Sequence, residues 1–136
     1  NRFNSIKTFL DTLKDKAEQT GYAETFHGRK RFLPDIHSQN RTIKAQAERM
    51  AINSPIQGTA ADIIKLAMIH IDAEIEKRKL KSKMLLQVHD ELIFEIEEEE
   101  IDQMKQIVKQ EMENVVDLKV PLRVHMGLGV NWYDLK

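Results

Sequence analysis

Two apolar runs, Met84–Val88 and Leu92–Ile96, stand on either side of His89-Asp90-Glu91. Runs this short and rich in branched residues read as strands, and so brief a polar break between them allows only a tight antiparallel hairpin. A two-residue hairpin turn needs positive φ, which Asn-Gly or Asp-Gly usually supplies. His89 and Asp90 are among the few residue types besides glycine that tolerate left-handed geometry, so the turn can form. It forgoes glycine's advantage, and a locally unfavourable residue choice marks a candidate functional position.

The chemistry of that tip is specific in one respect. Adjacent carboxylates are hard oxygen ligands, of the kind Mg²⁺ takes while keeping waters and substrate phosphates. Phosphoryl transfer with two metals about 3.5–4 Å apart requires carboxylates from at least two chain segments. Asp90 is suited to bridge such metals and Glu91 to sit beside them. The plain alternative is a polar turn with no ligand.

Around the hairpin the chain predicts an α+β fold, a small antiparallel sheet with packed helices and a second small hairpin. Phe3, Ile6, Leu10, Leu13 and Ala17 recur at helical spacing and stop before Gly21. A short basic helix is expected over Thr42–Asn53. The stripe Ala60, Ile63, Ile64, Ala67, Met68, Ile71 and Ile75 predicts the clearest amphipathic helix, with Lys77, Arg78 and Lys79 at its negative pole. A last helix is expected to open with Glu97–Glu100 and continue through Ile101, Met104, Ile107, Val108, Met112 and Val115. These apolar stripes read as core. Tyr22–His27 and Lys30–Leu33, joined around Gly28 and ended by Pro34, predict the second hairpin. Leu122–Met126, after Pro121, predicts a third strand, after which Gly127 and Gly129 loosen the chain before Trp132.

Length and composition narrow the function classes. At 136 residues the chain suits one domain with a substantial core. Its 41% hydrophobic and 32% charged residues are ordinary for a folded soluble protein of cytoplasmic type. No apolar run approaches the ~18 residues of a membrane span, so no membrane partner is expected. Without cysteine there is no disulfide scaffold, thiolate zinc site or cysteine nucleophile. The 21 basic and 22 acidic residues nearly cancel, yet they are unevenly placed. Between His27 and Met50 lie Arg29, Lys30, Arg31, Arg41, Lys44 and Arg49 against two acids; between His89 and Asp102 lie eight carboxylates and no Lys or Arg. Such a pair of stretches suits an anion-binding surface and a metal site, or simply two solvated faces. His27, His37, His70 and His125 show no ligand-like spacing. The start Asn1-Arg2-Phe3, already inside a helical pattern, suggests a segment of something longer.

Four stretches together resemble the family A DNA polymerases, the bacterial DNA polymerase I type. Gln87-Val88-His89-Asp90-Glu91 before an apolar strand is similar to their motif C. Gly28-Arg29-Lys30-Arg31-Phe32-Leu33-Pro34-Asp35-Ile36 resembles the fingers hairpin. Ala47 to Asp62, reading AERMAINSPIQGTAAD, is close to a signature stretch, and Gly129-Val130-Asn131-Trp132 fits the family's C-terminus. The resemblance spans the chain in order. It implies that residues 1–60 correspond to the C-terminal part of the fingers and 61–136 to the C-terminal part of a palm-type sheet.

The resemblance further implies a role for each candidate residue. Asp90 binds the catalytic Mg²⁺ ions with a second aspartate from motif A, Glu91 supports it, and His89 lies near the primer terminus. Arg49, Asn53 and Gln57 match positions that contact the primer–template duplex near its minor groove. Acceptors there occupy equivalent places in every base pair, so donors test pair geometry without reading sequence. For Gln57 a structural reading stays open, since Ser54-Pro55-Ile56-Gln57 carries the capping-box pattern with proline at the first helical position, and Thr59 and Asp62 offer a second helix start. Arg29, Lys30, Arg31, Arg41 and Lys44 suit phosphates, giving salt-sensitive affinity independent of sequence.

Motif A, the motif B helix, a thumb and an exonuclease domain find no match in these residues. The implied partners are therefore primer–template DNA, deoxynucleoside triphosphates and polymerase segments bearing motifs A and B. On its own the chain is expected to be catalytically incompetent, because Asp90 would form half a site. A non-enzymatic duplex-binding module derived from a polymerase is the main alternative. A metal-dependent phosphohydrolase needs its His-Asp pair on helices with a second such pair elsewhere, and neither condition is met.

Overall fold

The computed structural model describes residues 3–135; Asn1 and Arg2, where the first helical pattern begins, lie outside the described residues, as does Lys136. Elements follow in the order α1 (Asn4–Thr20), β1 (Tyr22–Glu24), β2 (Lys30–Phe32), α2 (Arg41–Lys77), β3 (Lys83–Val88), β4 (Glu91–Glu95) and α3 (Ile101–Glu113). Single 3₁₀ turns occupy Pro34–His37, Glu98–Glu100 and Trp132–Asp134. This is the expected mixture of helices and two antiparallel hairpins. The chain divides into two compact units, Asn1–Asp62 and Ile63–Lys136.

In the first unit, α1 stops at Gly21, whose φ of 77° lets its N–H reach the Ala17 carbonyl at 2.8 Å. The chain then turns into the β1–β2 hairpin, with Tyr22 opposite Phe32 and Glu24 opposite Lys30. The core joins Ala17, Ala23, Leu33, Ile36, Ala47 and Ala51. Four of these six are alanines, which lets helix and hairpin backbones approach closely. The α1 stripe is less buried than its periodicity predicts. Only Ala17 is fully covered, while Phe3, Ile6 and Phe9 are exposed, because no described element faces the first turns of the helix.

The second unit is built around Ile71, Met104, Ile107 and Val108, with Ile75, Leu80, Leu92, Phe94, Ile96 and Met112 packed against them. Strands β3 and β4 pair antiparallel, Val88 opposite Glu91, with the register shifting between Met84 and Leu86. The extra residue, Leu85, makes this a β-bulge. The carboxylate of Glu100 accepts from the N–H groups of Lys81 (2.9 Å) and Ser82 (2.8 Å) and from the Ser82 hydroxyl. These bonds hold its pKa below the ordinary carboxylate value, the Lys81 N–H first among them. Glu100 thus leaves the solvated acidic run and ties the approach to β3 onto the start of α3.

Three expectations are corrected. The separate helices over Thr42–Asn53 and Ala60–Ile75 are one helix of 37 residues with Pro55 inside it. Its true N-terminal cap is Asn40, whose side-chain oxygen accepts from the N–H groups of Thr42 and Ile43. The Ser54–Gln57 capping box therefore does not operate: Ser54 Oγ accepts from Arg31 instead, at 3.3 Å. The last helix runs from Ile101 to Glu113 rather than from Glu97 to Val115, its acidic entrance being a 3₁₀ turn. Leu122–Met126 forms no strand among the described residues. A strand needs a neighbour for its backbone groups, and here the Val124 N–H bonds the Glu113 side chain at 3.1 Å.

Candidate functional site

The β3–β4 register leaves His89 and Asp90 as the two turn residues, and His89 alone of the two takes positive φ, 55°. One left-handed residue thus meets the turn's need for positive φ. Gln87 Nε2 donates to the His89 carbonyl at 3.0 Å and braces the turn from the preceding strand. His89, Asp90 and Glu91 are all exposed. Among the described residues neither carboxylate has an ion-pair partner. The hairpin thus presents two adjacent, unneutralised carboxylates on a tip fixed by the strands below. Both border a groove of about 780 Å³ lined further by Leu92, Phe94, Met104 and Trp132.

Hard oxygen donors in an open, hydrated setting fit Mg²⁺, which dehydrates reluctantly and is commonly held by one or two carboxylates. Among the described residues no group of three or more His, Asp or Glu side chains converges as a metal site. Asp90 and Glu91 can therefore supply part of a ligand set.

In the other unit, α2 carries two rows of side chains. Ala47, Ala51 and Pro55 are buried, whereas Arg49, Asn53 and Gln57 are exposed. Each row steps by four residues, one helical turn, and the two are offset by two residues, or about 200° around the axis. Burial of the small row consequently turns the three hydrogen-bonding side chains outward on one face.

The basic residues divide. Lys44 pairs with Glu18 at 3.0 Å, and that contact raises the lysine pKa and lowers the glutamate's. Arg29 is bound within the hairpin–helix junction: its Nε donates to Asp62 Oδ1 at 2.9 Å and Nη2 to the Gly58 carbonyl at 3.2 Å. Lys30 lies over the Tyr22 ring, 4.5 Å from its centroid. Arg29, Lys30 and Arg31 share a cleft of about 120 Å³ with Ser54 and Gln57.

Asp62 is the residue that the sequence pattern misassigned. It is nearly buried and receives Thr25 Oγ1 at 2.7 Å as well as Arg29. Burial pushes its pKa up, but the hydrogen bonds from Thr25 and Arg29 and the guanidinium charge outweigh it and hold the carboxyl below its ordinary value. Thr59, the other supposed helix start, accepts the Phe26 N–H at 2.9 Å. No local signal marks these partners, which lie 33 to 37 residues apart.

Comparison with known proteins places the fold in one class. The sequence model of DNA polymerase family A matches residues 1–134. DNA polymerase I of Caldicellulosiruptor bescii is 51% identical over 135 residues, covering 99% of this chain and 16% of that protein. DNA polymerase I of Lactococcus lactis subsp. lactis is 47% identical over 135 residues, covering 99% and 15%. Among solved structures, the POL domain of Pol1 from M. smegmatis, in complex with DNA primer-template and dNTP, superimposes with a TM-score of 0.96 at 46% identity. That match covers 98% of this chain and 24% of the other. The chain belongs to DNA polymerase family A, and it spans about a sixth of the length of these curated relatives.

Proposed function

We propose that the chain supplies the motif C part of a DNA-directed DNA polymerase, with residues 1–60 acting as fingers and 61–136 as palm. The observation that carries this reading is the pair of exposed, unneutralised carboxylates on the rigid β3–β4 tip. The reaction is attack of a primer 3′-hydroxyl on the α-phosphorus of a deoxynucleoside triphosphate, with release of pyrophosphate. Asp90 would hold a divalent metal there, whose chemistry when bound would be to lower the pKa of the attacking hydroxyl and stabilise charge on the transferring and leaving oxygens.

Each residue has a defined task. Asp90 offers its carboxylate as a Mg²⁺ ligand, and the two-residue turn keeps that carboxylate from relaxing into the strands. Glu91, first residue of β4, keeps a second negative charge beside it. His89 presents its imidazole at the tip toward the primer end. Arg49, Asn53 and Gln57 direct donors to minor-groove acceptors, so the contact depends on base-pair shape and not on sequence. The remaining ligands come from a segment with motif A, and triphosphate-binding cations from motif B. The location that goes with this reading is cytoplasmic; no described helix is long and apolar enough to cross a membrane.

Primer extension tests the proposal. The chain is incubated with primer–template, Mg²⁺ and all four triphosphates, alone and with a segment bearing motifs A and B, in parallel with Asp90→Ala. Extension only in the complemented mixture, abolished by Asp90→Ala, is expected. Extension that survives Asp90→Ala would refute the role of the tip. Duplex binding without extension in any mixture is the outcome of the non-enzymatic alternative.

A further inference from the structure

We propose that Thr25, Arg29 and Asp62 form a positioning clamp for the α2 turn that carries Asn53 and Gln57, so that Arg29 serves DNA binding through this helix and not by touching a phosphate. The inference rests on the assignment of Asn53 and Gln57 as duplex contacts. The need for a clamp comes from Pro55. Proline has no N–H, so the Ala51 carbonyl loses its intrahelical donor, and the ring crowds the preceding turn. The helix is therefore least secure between Ala51 and Gly58, where the two contact residues sit. Yet α2 continues through this point without interruption.

The hairpin braces this stretch from outside, at and beyond the proline. Thr25 Oγ1 donates to Asp62 and accepts from the Arg29 N–H at 3.1 Å, while Arg29 Nη2 adds a donor to the Gly58 carbonyl. The Phe26 N–H reaches Thr59, and Arg31 reaches Ser54. Gly58 allows the close approach: a Cβ there would stand 2.6 Å from Thr25 Cγ2. Five hydrogen bonds thus cross from hairpin to helix between Ser54 and Asp62, and Gln57 is flanked by two of the residues they hold. A guanidinium already opposed by a nearly buried carboxylate at 2.9 Å also has little net charge to offer a phosphate.

The test compares Arg29→Ala, Asp62→Ala, their double variant and Gln57→Ala in the whole chain, by two readouts. In the free chain, amide hydrogen exchange at residues 56–60 should quicken in each clamp variant and quicken no further in the double. In duplex binding, each single clamp variant should weaken affinity by about tenfold, as expected for a hydrogen bond to a charged group. The double should match the singles, and the slope of affinity against salt should stay unchanged. Asp62→Ala weakens binding here although it deletes a negative charge. A direct phosphate contact predicts the opposite pattern: Arg29→Ala lowers the salt slope by about 0.9, and Asp62→Ala tightens binding. That pattern, or exchange at 56–60 that does not respond, overturns the clamp. Arg29→Lys, which keeps charge but not the planar fork, should behave like Arg29→Ala. Asp62→Asn retains an acceptor for Thr25 and gives a folded variant for both readouts should Asp62→Ala unfold. If the unaltered chain binds no duplex, or Gln57→Ala leaves affinity unchanged, the assigned contacts fail, and the exchange data still decide the clamp.

Discussion

Replacing Gly58 with alanine sets two calculable effects against each other. Glycine inside a helix is less favourable than alanine by about 0.8–1.0 kcal/mol, so propensity alone predicts stabilisation. Packing predicts the reverse. The added Cβ meets Thr25 Cγ2 at 2.6 Å, well inside van der Waals contact. Thr25 cannot turn the methyl aside, because its hydroxyl is engaged with both Asp62 and the Arg29 N–H, and rotation about χ1 would break both bonds. The Arg29 Nη2 atom, 3.4 Å from the same Cβ, stands at ordinary contact distance and adds little. Overpacking of this kind costs about 1–3 kcal/mol, so Gly58→Ala should destabilise by up to about 2 kcal/mol net. Thr25→Ser provides the control, since it deletes the offending methyl and keeps the hydroxyl. The nearest remaining Thr25 atom, Cβ, lies 3.9 Å away, an ordinary contact. In that background Gly58→Ala should be neutral or stabilising by up to about 1 kcal/mol, a coupling of about 2 kcal/mol. Urea unfolding followed by circular dichroism measures both, as midpoint shifts at constant m. An equal loss from Gly58→Ala in the two backgrounds, or a gain in the parent, would refute the steric account.

Other outcomes follow from the same geometry. Ile71 is fully buried among Met104, Ile107 and Val108, so Ile71→Ala should destabilise by about 2–5 kcal/mol in the same assay. Lys79, two residues past the end of α2, has φ of 55°, a conformation that costs a residue with a Cβ about 1 kcal/mol or more; Lys79→Gly should raise the urea midpoint, even though it frees the unfolded chain. Asp62 and Glu100 both have lowered pKa values, so each contributes stability at neutral pH that is lost as pH falls below about 4 through the folded-state values. Urea midpoints between pH 7 and pH 2 should fall in that window, and Asp62→Asn or Glu100→Gln should each flatten the decline. Asp90→Ala, at an exposed turn without partners among the described residues, should shift stability by no more than about 0.5 kcal/mol while abolishing complemented extension.

Local pattern sufficed where structure and chemistry are both local. The β3–β4 tip was legible because strand length, the width of the polar break and the residue types in it all constrain one turn. The stop of α1 at Gly21 was legible for the same reason. Pattern misled where a local signal had a distant competitor. Ser54-Pro55-Ile56-Gln57 satisfies every local criterion for a helix start, yet Ser54 and Thr59 are bonded to the hairpin, and the helix runs through. Leu122–Met126 has strand composition, but composition cannot provide the neighbouring strand its backbone requires.

The same distinction decides which part of the candidate site could be read in advance. Asp90 announces itself because the tight turn that holds it lacks the glycine that local preference would place there. Arg49, Asn53 and Gln57 share a helix face by spacing alone. Asp62 violates nothing: an acidic residue near an apparent helix start is unremarkable, and its significance lies in partners more than thirty residues away. An ion pair between elements distant in sequence gives no periodicity, no turn signature and no charge run, and Arg29, half-exposed and joined to the nearly buried Asp62, is indistinguishable in the sequence from an arginine facing phosphate. The energetic consequence is opposite in the two cases. An arginine free to meet DNA adds to affinity in proportion to the counterions it displaces. An arginine held by a nearly buried carboxylate adds through the geometry it preserves, and its removal leaves Asp62 with Thr25 alone as its side-chain donor. The basic stretch from Arg29 to Arg49 is therefore not a uniform electropositive surface. Arg49 faces solvent, whereas Arg29 and Lys44 are paired with carboxylates of their own unit.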